Sequence, residues 1–373
     1  MKDTSFPCKS CGAFLVFKPG TSGMTCEYCG CENEIPKSDE LIEEIDYDGF
    51  INQLIDVQPQ MELRTLKCNS CGAETTLQAN VVAHECSFCG NPMVANTAET
   101  HSILKPKSLL PFKIPQKEGL DMFHKWVAGL WFAPNKLQKM DKLNKLDGVY
   151  TPYWTYDAST TTQYSGMRGD NYYETEYYTD NEGNRQSRTV TKTRWSPASG
   201  TVNNEFDDVL VVGSNSLPKS HADALEPWDL ANLEPFDERY LSGFVTECYQ
   251  VDVKNGLGVA KKKMSPVIES SVRSDIGGDK QQVTFMSVEY QNITFKHILL
   301  PIWISAYKYN GKSYRFLVNG RTGEVRGERP YSTGKIVGTI ISVLLVIVAF
   351  YSEPIAGLIA LVIFLVLLFK VFK

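Results

Sequence analysis

Residues 8–30 read CKSCGAFLVFKPGTSGMTCEYCG, and the same pattern returns at residues 68–90 as CNSCGAETTLQANVVAHECSFCG. The two copies align at an offset of sixty residues. Each copy has two Cys-x-x-Cys-Gly motifs with fourteen residues between the second and third cysteines. The chain therefore contains a duplicated unit, and the chemistry of that unit decides how this part of the protein folds.

Each Cys-x-x-Cys-Gly motif has the spacing of a metal-binding knuckle. Two residues between the cysteines let the backbone bend around one ion at about 2.3 Å per sulfur, and the glycine can adopt the positive φ that turns N–H groups toward the thiolates. The fourteen intervening residues are enough for a strand, a turn and a returning strand, so the two knuckles of one copy can face each other. We therefore predict two zinc sites, with the ligands Cys8, Cys11, Cys26 and Cys29 in the first ribbon and Cys68, Cys71, Cys86 and Cys89 in the second.

Both predicted zinc ions are structural. Four thiolates fill a tetrahedron and leave no open position for water or substrate. A segment of about thirty residues cannot bury enough core to fold alone, so metal binding worth on the order of 10 to 16 kcal/mol would order each ribbon. Rubredoxin-type iron shares this knuckle chemistry and stays open as an alternative. A thioredoxin-like redox site is disfavoured because it needs one such pair at a strand-to-helix junction.

The composition indicates which cellular compartment and which kinds of partner to expect. Eight of the ten cysteines lie in Cys-x-x-Cys pairs and the first residues lack an apolar signal-peptide core, which favours a reducing, cytosolic location for this part. The other two, Cys31 and Cys248, are not predicted ligands: Cys31 corresponds to Asn91 in the second copy, and Cys248 is expected to be a small buried hydrophobe. Residues 1–100 carry six Lys+Arg against fifteen Asp+Glu, 6 − 15 = −9, which disfavours nucleic-acid binding.

The C-terminal sequence is strongly apolar. Residues 336–352 and 355–369 are two uncharged runs that, as helices, would each extend roughly 23 to 26 Å at about 1.5 Å per residue. We expect a transmembrane hairpin with helices at 336–352 and 355–372. Basic residues on both flanks would place both termini in the cytoplasm. The alternative is a helical hairpin buried in a soluble core.

The remaining sequence predicts an α+β multidomain protein. The expected units are a first ribbon at 1–35, an acidic helical connector at 36–62, a second ribbon at 63–95 and a β-rich cytosolic domain at 96–335. Residues 149–166, 171–195 and 285–325 have the Thr, Tyr, Val and Phe content of strands, with a hairpin turn at 181–184. Helices are expected near 219–232 and 247–275.

Two segments of the β-rich region resemble each other. GVYTPYWTYDASTTTQYSG begins at Gly148 and ILLPIWISAYKYNGKSYRF begins at Ile298, and each has Pro, one residue, then Trp. A duplicated sheet unit is one interpretation. Two similar edge strands that pack tryptophan into one core are the other.

Nothing in the sequence selects a catalytic site. The five histidines are scattered without metal-ligand spacing, and GLGVAKKKMS at Gly256 lacks the Gly-Lys-Ser/Thr of a phosphate loop. No residue pair stands out for acid/base chemistry among the many carboxylates. We therefore expect a protein that is not an enzyme.

The chain resembles bacterial membrane-anchored double zinc-ribbon proteins, a family often labelled TFIIB-type zinc-ribbon or primosomal-helicase-like. The resemblance rests on the knuckles, on VYTPYWTYDA, on Arg168-Gly169 and on LLPIWISAYKYNGKSYRFLVNGRTGEVRGERPYS. It implies a location at the bacterial inner membrane and association with SPFH-domain (flotillin-like) or envelope-stress proteins. A helicase activity is not expected, because the chain has no P-loop.

These observations lead to one expected function and one alternative. We expect a membrane-anchored adaptor whose ribbons and β-rich domain recruit a protein partner, with homo- or hetero-oligomers possible. The alternative is a membrane-tethered nucleic-acid-binding zinc-ribbon protein.

Overall fold

The computed structural model describes residues 6–52, 60–76, 83–94, 99–134, 146–181 and 183–352. Strands account for 45% and helices for 23% of these residues. The strands are β1 (Leu15–Phe17), β2 (Gly23–Cys26), β3 (Glu32–Glu34), β4 (Ile45–Asp46), β5 (Gln60–Lys67), β6 (Glu74–Thr76), β7 (Ala83–Glu85), β8 (Pro92–Val94), β9 (Glu99–Leu104), β10 (Ser108–Leu109), β11 (Asp147–Thr179), β12 (Arg185–Val212), β13 (Glu234–Pro235), β14 (Val245–Thr246), β15 (Lys280–Tyr309), β16 (Lys312–Asn319) and β17 (Val325–Gly327). The helices are α1 (Tyr47–Asn52), α2 (Gln116–Ala128), α3 (Lys219–Asp223), α4 (Val253–Ile276) and α5 (Thr333–Ser352), and two 3-10 turns lie at Leu230–Asn232 and Glu238–Leu241.

One large sheet organises the structure, and β11 and β15 are neighbouring strands in its interior. The strand order is β12-β11-β15-β10-β13, while β14, β16, β17 and β4 join the same sheet off this path. β11 pairs antiparallel with β12 along one edge and with β15 along the other. Strands of 33, 28 and 30 residues follow from long runs of β-branched and aromatic residues, which fit a pleated surface.

The two faces of this sheet are buried by different parts of the chain. Alternate side chains of a strand point to opposite faces. On one face, Leu299 and Trp303 of β15 share a core with Leu15 and Phe17 of the first ribbon. On the other face, Ile298, Leu300, Ile302 and Ile304 share a core with Leu66, Ala73, Phe88 and Met93 of the second ribbon. This part of the sheet is thus enclosed between the two ribbons.

A third core lies under α4, farther along β11. Asp252 caps this helix by accepting a hydrogen bond from the Asn255 N–H at 2.7 Å. Its apolar residues recur at helical spacing and are buried: Val253, Leu257, Ala260, Met264, Ile268, Val272 and Ile276. The Tyr156 hydroxyl donates to the Val253 carbonyl at 2.7 Å, which fixes the start of α4 on β11.

Beyond Gly169 the sheet narrows to a two-stranded ribbon. Gly169 pairs with Lys280 at the start of β15, and from Asp170 onward β11 continues to pair with β12. We call residues 170–194 the arm. Its turn lies at Asp180–Asn184, where Gly183 has φ 86°. Ten residue pairs make up the arm, which corresponds to about 33 Å of strand length.

The fold-class prediction is wrong where it relies on helices and a membrane hairpin. The described residues are predominantly β, and none of their helices is long and apolar enough to cross a bilayer. The first predicted span, 336–352, falls on α5, whereas 355–372 lies outside the described residues. The predicted inner-membrane location and cytoplasmic termini depended on this hairpin and are corrected with it. Counting uncharged residues gave too much weight to an apolar run. It took no account of hydrogen bonds: the Lys335 ammonium donates to the Trp131 and Ala133 carbonyls, and the Thr339 and Ser342 hydroxyls donate to the Lys335 and Gly338 carbonyls.

The connector at 36–62 also differs from its predicted helix. Among its described residues, the α-helix is confined to Tyr47–Asn52, and Ile45–Asp46 pairs with β15 as a strand. Glu44 explains the difference, because its carboxylate accepts hydrogen bonds from Thr294 at 2.6 Å and Lys296 at 2.9 Å. Contacts with the sheet therefore override the helical pattern of the segment.

The two similar segments of the β-rich region lie beside each other. Gly148 pairs with Trp303 and Tyr153 pairs with Ile298, so both segments are in central strands and not at a sheet edge. Their tryptophans enter different cores, since Trp154 packs under α4 and Trp303 packs beneath the first ribbon. Similar sequence here reflects the similar demands of two neighbouring strands that are buried on both faces.

His297 makes the stability depend on pH. It is fully buried, its Nδ1 lies 2.9 Å from the Leu104 carbonyl, and burial lowers its pKa to about 4. The unfolded chain therefore binds a proton between pH 6.5 and 4 that the folded protein does not, so stability falls as the pH falls through this window. We expect His297→Gln to remove about 3 kcal/mol of the loss between pH 7 and 4, measured by urea unfolding.

The exposed His124 supplies a matched control. His124→Gln should keep the wild-type pH dependence, and loss of metal in acid would affect all three proteins alike. A His297→Gln profile that follows the wild type across this window would show that His297 has the same pKa in the folded and unfolded states.

Candidate metal centres

The structure brings the eight predicted cysteines together as two separate clusters of four. The first cluster contains Cys8, Cys11, Cys26 and Cys29, and the second contains Cys68, Cys71, Cys86 and Cys89. Within each cluster all four sulfur atoms lie within 4.8 Å of one another. Each cluster could therefore hold a metal ion.

The sulfur separations fit tetrahedral coordination. A metal with four sulfurs at about 2.3 Å requires sulfur–sulfur distances of about 3.8 Å. In the first cluster, Cys8 and Cys29 are 3.6 Å apart and Cys11 and Cys26 are 3.5 Å apart. In the second, the Cys68–Cys89 and Cys71–Cys86 distances are 3.6 and 3.7 Å. The all-thiolate donor set suits zinc or an iron centre better than a hard cation such as magnesium or calcium.

All four knuckles have the same backbone geometry. In the first knuckle, the Gly12 N–H donates to the Cys8 carbonyl at 2.9 Å and the Cys8 N–H donates to the Ala13 carbonyl. The same two bonds recur at Cys26, Cys68 and Cys86. The glycines after the knuckles have positive φ, as their sequence position predicts: 76° at Gly12, 74° at Gly30, 76° at Gly72 and 68° at Gly90.

This geometry favours a thiolate at Cys8. The backbone N–H groups of Ser10 and Cys11 point at its sulfur and lower its pKa to about 6, and the Ser10 nitrogen lies 3.4 Å from the sulfur. Such N–H groups stabilise negative charge on sulfur. At Cys29 the Cys31 N–H acts in the same direction, but the neighbouring thiols of Cys11, Cys26 and Cys8 together with burial outweigh it, and the pKa is raised. Crowded thiols resist sharing several negative charges unless a cation lies among them.

The ribbons attach to adjacent parts of one segment. The Ser242 carbonyl accepts from the Phe17 N–H at 3.0 Å and its hydroxyl donates to the Leu15 carbonyl at 2.6 Å, which holds the first ribbon. Four residues later, the Thr246 N–H donates to the Thr76 hydroxyl and the Cys248 N–H donates to the Glu74 carbonyl. The segment 242–248 therefore links the first ribbon to the second.

The remaining cysteines lie apart from the two clusters. The Cys31 carbonyl accepts from the Cys26 N–H at 2.9 Å, and Asn91 does the same for Cys86. Cys31 thus has a backbone role that any residue type can fill. Cys248 is buried, and burial raises the pKa of its thiol to about 12, as expected for a small core residue.

A group of carboxylates that sequence reasoning missed lies at a bulge in the large sheet. Asp157, Asp207 and Asp208 place carboxylate oxygens within 4.8 Å of one another. The Lys296 ammonium lies 2.9 Å from both Asp208 and Glu44, so a side chain already supplies the local positive charge. Burial and the Glu44 carboxyl raise the pKa of Asp157 to about 7. The adjacent aspartates at 207–208 were the available sequence signal, but a bulge cannot be read from one sequence.

The chain is similar along most of its length to a protein whose function is not known. It is 27% identical over 335 residues to the uncharacterized protein YdjG of Bacillus subtilis (strain 168), which covers 89% of this chain and 92% of that protein. No protein-family model matches the chain, and no solved structure matches it. The similarity shows that most of this chain has a counterpart in a protein of nearly the same length.

We expect two metal ions per full-length chain. Cys86→Ser should remove one of them, because it takes away one of four thiolates in the second cluster, while the first cluster keeps its ion. Inductively coupled plasma mass spectrometry on the purified protein measures this ratio.

Cys31→Ser is the matched control, since it removes a cysteine that directly follows a knuckle and whose sulfur belongs to neither cluster. The control should retain two ions. Fewer than two ions in the wild type, or two in Cys86→Ser, would contradict the assignment of one ion to each cluster.

Proposed function

We propose that this chain is a non-enzymatic adaptor that recruits a protein partner and that one structural zinc ion orders each ribbon. The observation that carries the proposal is the arm, which extends beyond the three-stranded part of the sheet and offers side chains to a partner. The cysteine clusters support a structural role for the metal, because four thiolates complete a tetrahedron. Iron in place of zinc in the purified protein would contradict the metal assignment.

One face of the arm is free of charged side chains except near its tip. Tyr173, Thr175 and Tyr177 of β11 lie opposite Thr191, Thr189 and Ser187 of β12. Tyr173 is 78% exposed and Tyr177 is 65% exposed. Tyrosine offers a large rigid surface together with a hydroxyl, and it is enriched at protein interfaces for this reason. This face, which we call the tyrosine face, is the proposed docking surface for a protein partner.

The opposite face of the arm carries its own ion pairs. Lys192 lies 2.8 Å from Glu174 and 3.3 Å from Glu176, and Arg188 lies 3.1 Å from Glu176. These basic groups are paired with carboxylates of the neighbouring strand, so they offer little net positive charge to a phosphate backbone. The arm therefore supports protein recruitment better than the nucleic-acid alternative.

The arm lies far along β11 from the ribbons. β11 runs for 33 residues from Asp147 to Thr179, which corresponds to about 100 Å of strand. From Asp147 to Gly169 the strand is paired on one edge with β15. An adaptor needs two surfaces at a defined separation, and a continuous strand supplies that separation without a hinge. The resemblance to double zinc-ribbon proteins suggests an SPFH-domain protein as the first partner to test.

The tyrosine face can be tested in the cells from which the protein comes. We expect full-length protein with Tyr173→Ser and Tyr177→Ser to lose at least tenfold in crosslinked partner, since two exposed aromatic contacts would be removed without touching a core. Quantitative mass spectrometry after chemical crosslinking and affinity purification gives the yield.

Tyr331→Ser serves as control, because Tyr331 is 58% exposed and lies outside the arm. It should keep the wild-type partner yield, and all variants should keep their metal content. Absence of any specific partner of the wild-type chain would contradict the adaptor role, whereas an unchanged yield in the double variant would contradict the tyrosine face.

A further inference from the structure

A cleft of about 440 Å³ lies where the two ribbons meet the end of the large sheet. The first ribbon contributes Val16, Phe17, Pro19 and Glu27, and the second contributes Glu85 and Ser87. The sheet and its loops supply the rest of the wall, including Asp147, Gly148, Phe244 and Trp303. The cleft is therefore a product of the whole assembly, and neither ribbon could form it alone.

The duplicated unit presents corresponding segments to this cleft. Glu27 follows Cys26 in the first ribbon, and Ser87 follows Cys86 at the equivalent position of the second. Between the ribbons, residues 243–245 line the cleft, and the bonds of Ser242 and Thr246 hold them on either side. The position of the cleft is thus fixed by the attachment of both ribbons to one short segment.

The apolar wall of the cleft is tightly built. Phe244 packs against Phe112 with ring centroids 4.4 Å apart and against Trp303 at 5.9 Å. A side chain at Gly148 would place its Cβ 2.4 Å from the Phe244 ring, so glycine is required there. The wall can support an aliphatic chain laid against it, and it cannot easily collapse into the space.

The described lining residues of the cleft carry charge of one sign. They include the carboxylates of Glu27, Glu85 and Asp147 and, within the described part of the chain, no lysine or arginine. Among the described residues, neither Glu27 nor Glu85 forms an ion pair, and both are exposed. Carboxylates from both ribbons therefore face the same space, and neither has an ion-pair partner among the described residues.

We propose that this cleft binds an arginine or lysine side chain from an extended segment of a protein partner. The aliphatic stem of such a side chain packs against apolar surface while its cationic head reaches carboxylates at the rim. Charge complementarity favours this occupant over an acidic or neutral segment. The proposal rests on the adaptor function and adds the chemistry of the partner segment at a second surface, remote from the arm along β11.

The probe is a pair of fluorescein-labelled peptide pools, Gly-X-X-Arg-X-X-Gly and the same pool with citrulline in place of arginine. Citrulline keeps the shape of the side chain and removes its charge. Fluorescence anisotropy with full-length, metal-loaded protein should show at least tenfold tighter binding of the arginine pool. The difference should shrink as salt is raised, because exposed charges are screened.

The variant that tests the site is Glu27→Lys with Glu85→Lys, which reverses two exposed charges without altering a core. Its matched control is Glu34→Lys with Glu62→Lys, which makes the same charge change next to the same ribbons at exposed residues outside the cleft. We expect the first pair to abolish the preference for arginine and the second pair to keep it within about twofold. Equal binding of the two pools, no binding, or an arginine preference that survives the cleft variant would overturn the proposal.

Partner capture separates this proposal from the adaptor function. If the wild-type chain and the cleft variant capture the same partner in equal yield, the adaptor function stands and the cleft proposal fails. If the wild-type chain captures no partner, the adaptor function fails, and the peptide pools still decide whether the cleft binds a cationic side chain.

Discussion

The antiparallel pairing of β11 with β15 is the constraint on which the rest of the structure depends. Because side chains alternate along a strand, this pairing divides the residues of β15 between two faces. Trp303 points to the core of the first ribbon, while Ile302 and Ile304 point to the core of the second. A slip of one residue would exchange these two sets and leave both ribbons against the wrong surface. Each copy of the cysteine unit therefore packs against a different face of the sheet.

This arrangement offers a physical reason for the duplication. A single ribbon would cover one face and leave the apolar side chains of the other face in water. Two ribbons cover the two faces there, and Glu27 of the first and Glu85 of the second line one cleft at the end of the sheet. The opposite end of β11 carries the arm. Two candidate contact surfaces therefore lie at the two ends of one strand.

The sequence carried much of the information about local structure. Cysteine spacing and glycine position were enough to place four knuckles, because coordination chemistry depends on residues that are close in sequence. The hairpin turn near Gly183 and the helical spacing from Val253 to Ile276 were likewise local signals. The helical expectation for 36–62 was overridden by the pairing of Ile45 with Phe295, which lies 250 residues away.

Features formed by distant residues could not be predicted from one sequence. The cleft needs Glu27, Glu85 and Asp147 to converge from three parts of the chain, and the carboxylates at the bulge need Lys296 beside Asp208. The apolar C-terminal run led to a wrong membrane assignment, since hydropathy counts composition and not the contacts that Lys335 makes with the loop after α2.

The central claim is that metal-ordered ribbons are integral parts of the sheet assembly. Hydrogen exchange of the full-length protein, with and without a metal chelator, tests it most directly. The Thr246 and Cys248 amides donate to groups of the second ribbon, while the Tyr153 amide lies in the centre of the sheet. The account predicts that metal removal speeds exchange at Thr246 and Cys248 and leaves Tyr153 protected. Unchanged exchange at Thr246 and Cys248 after complete metal removal would contradict it.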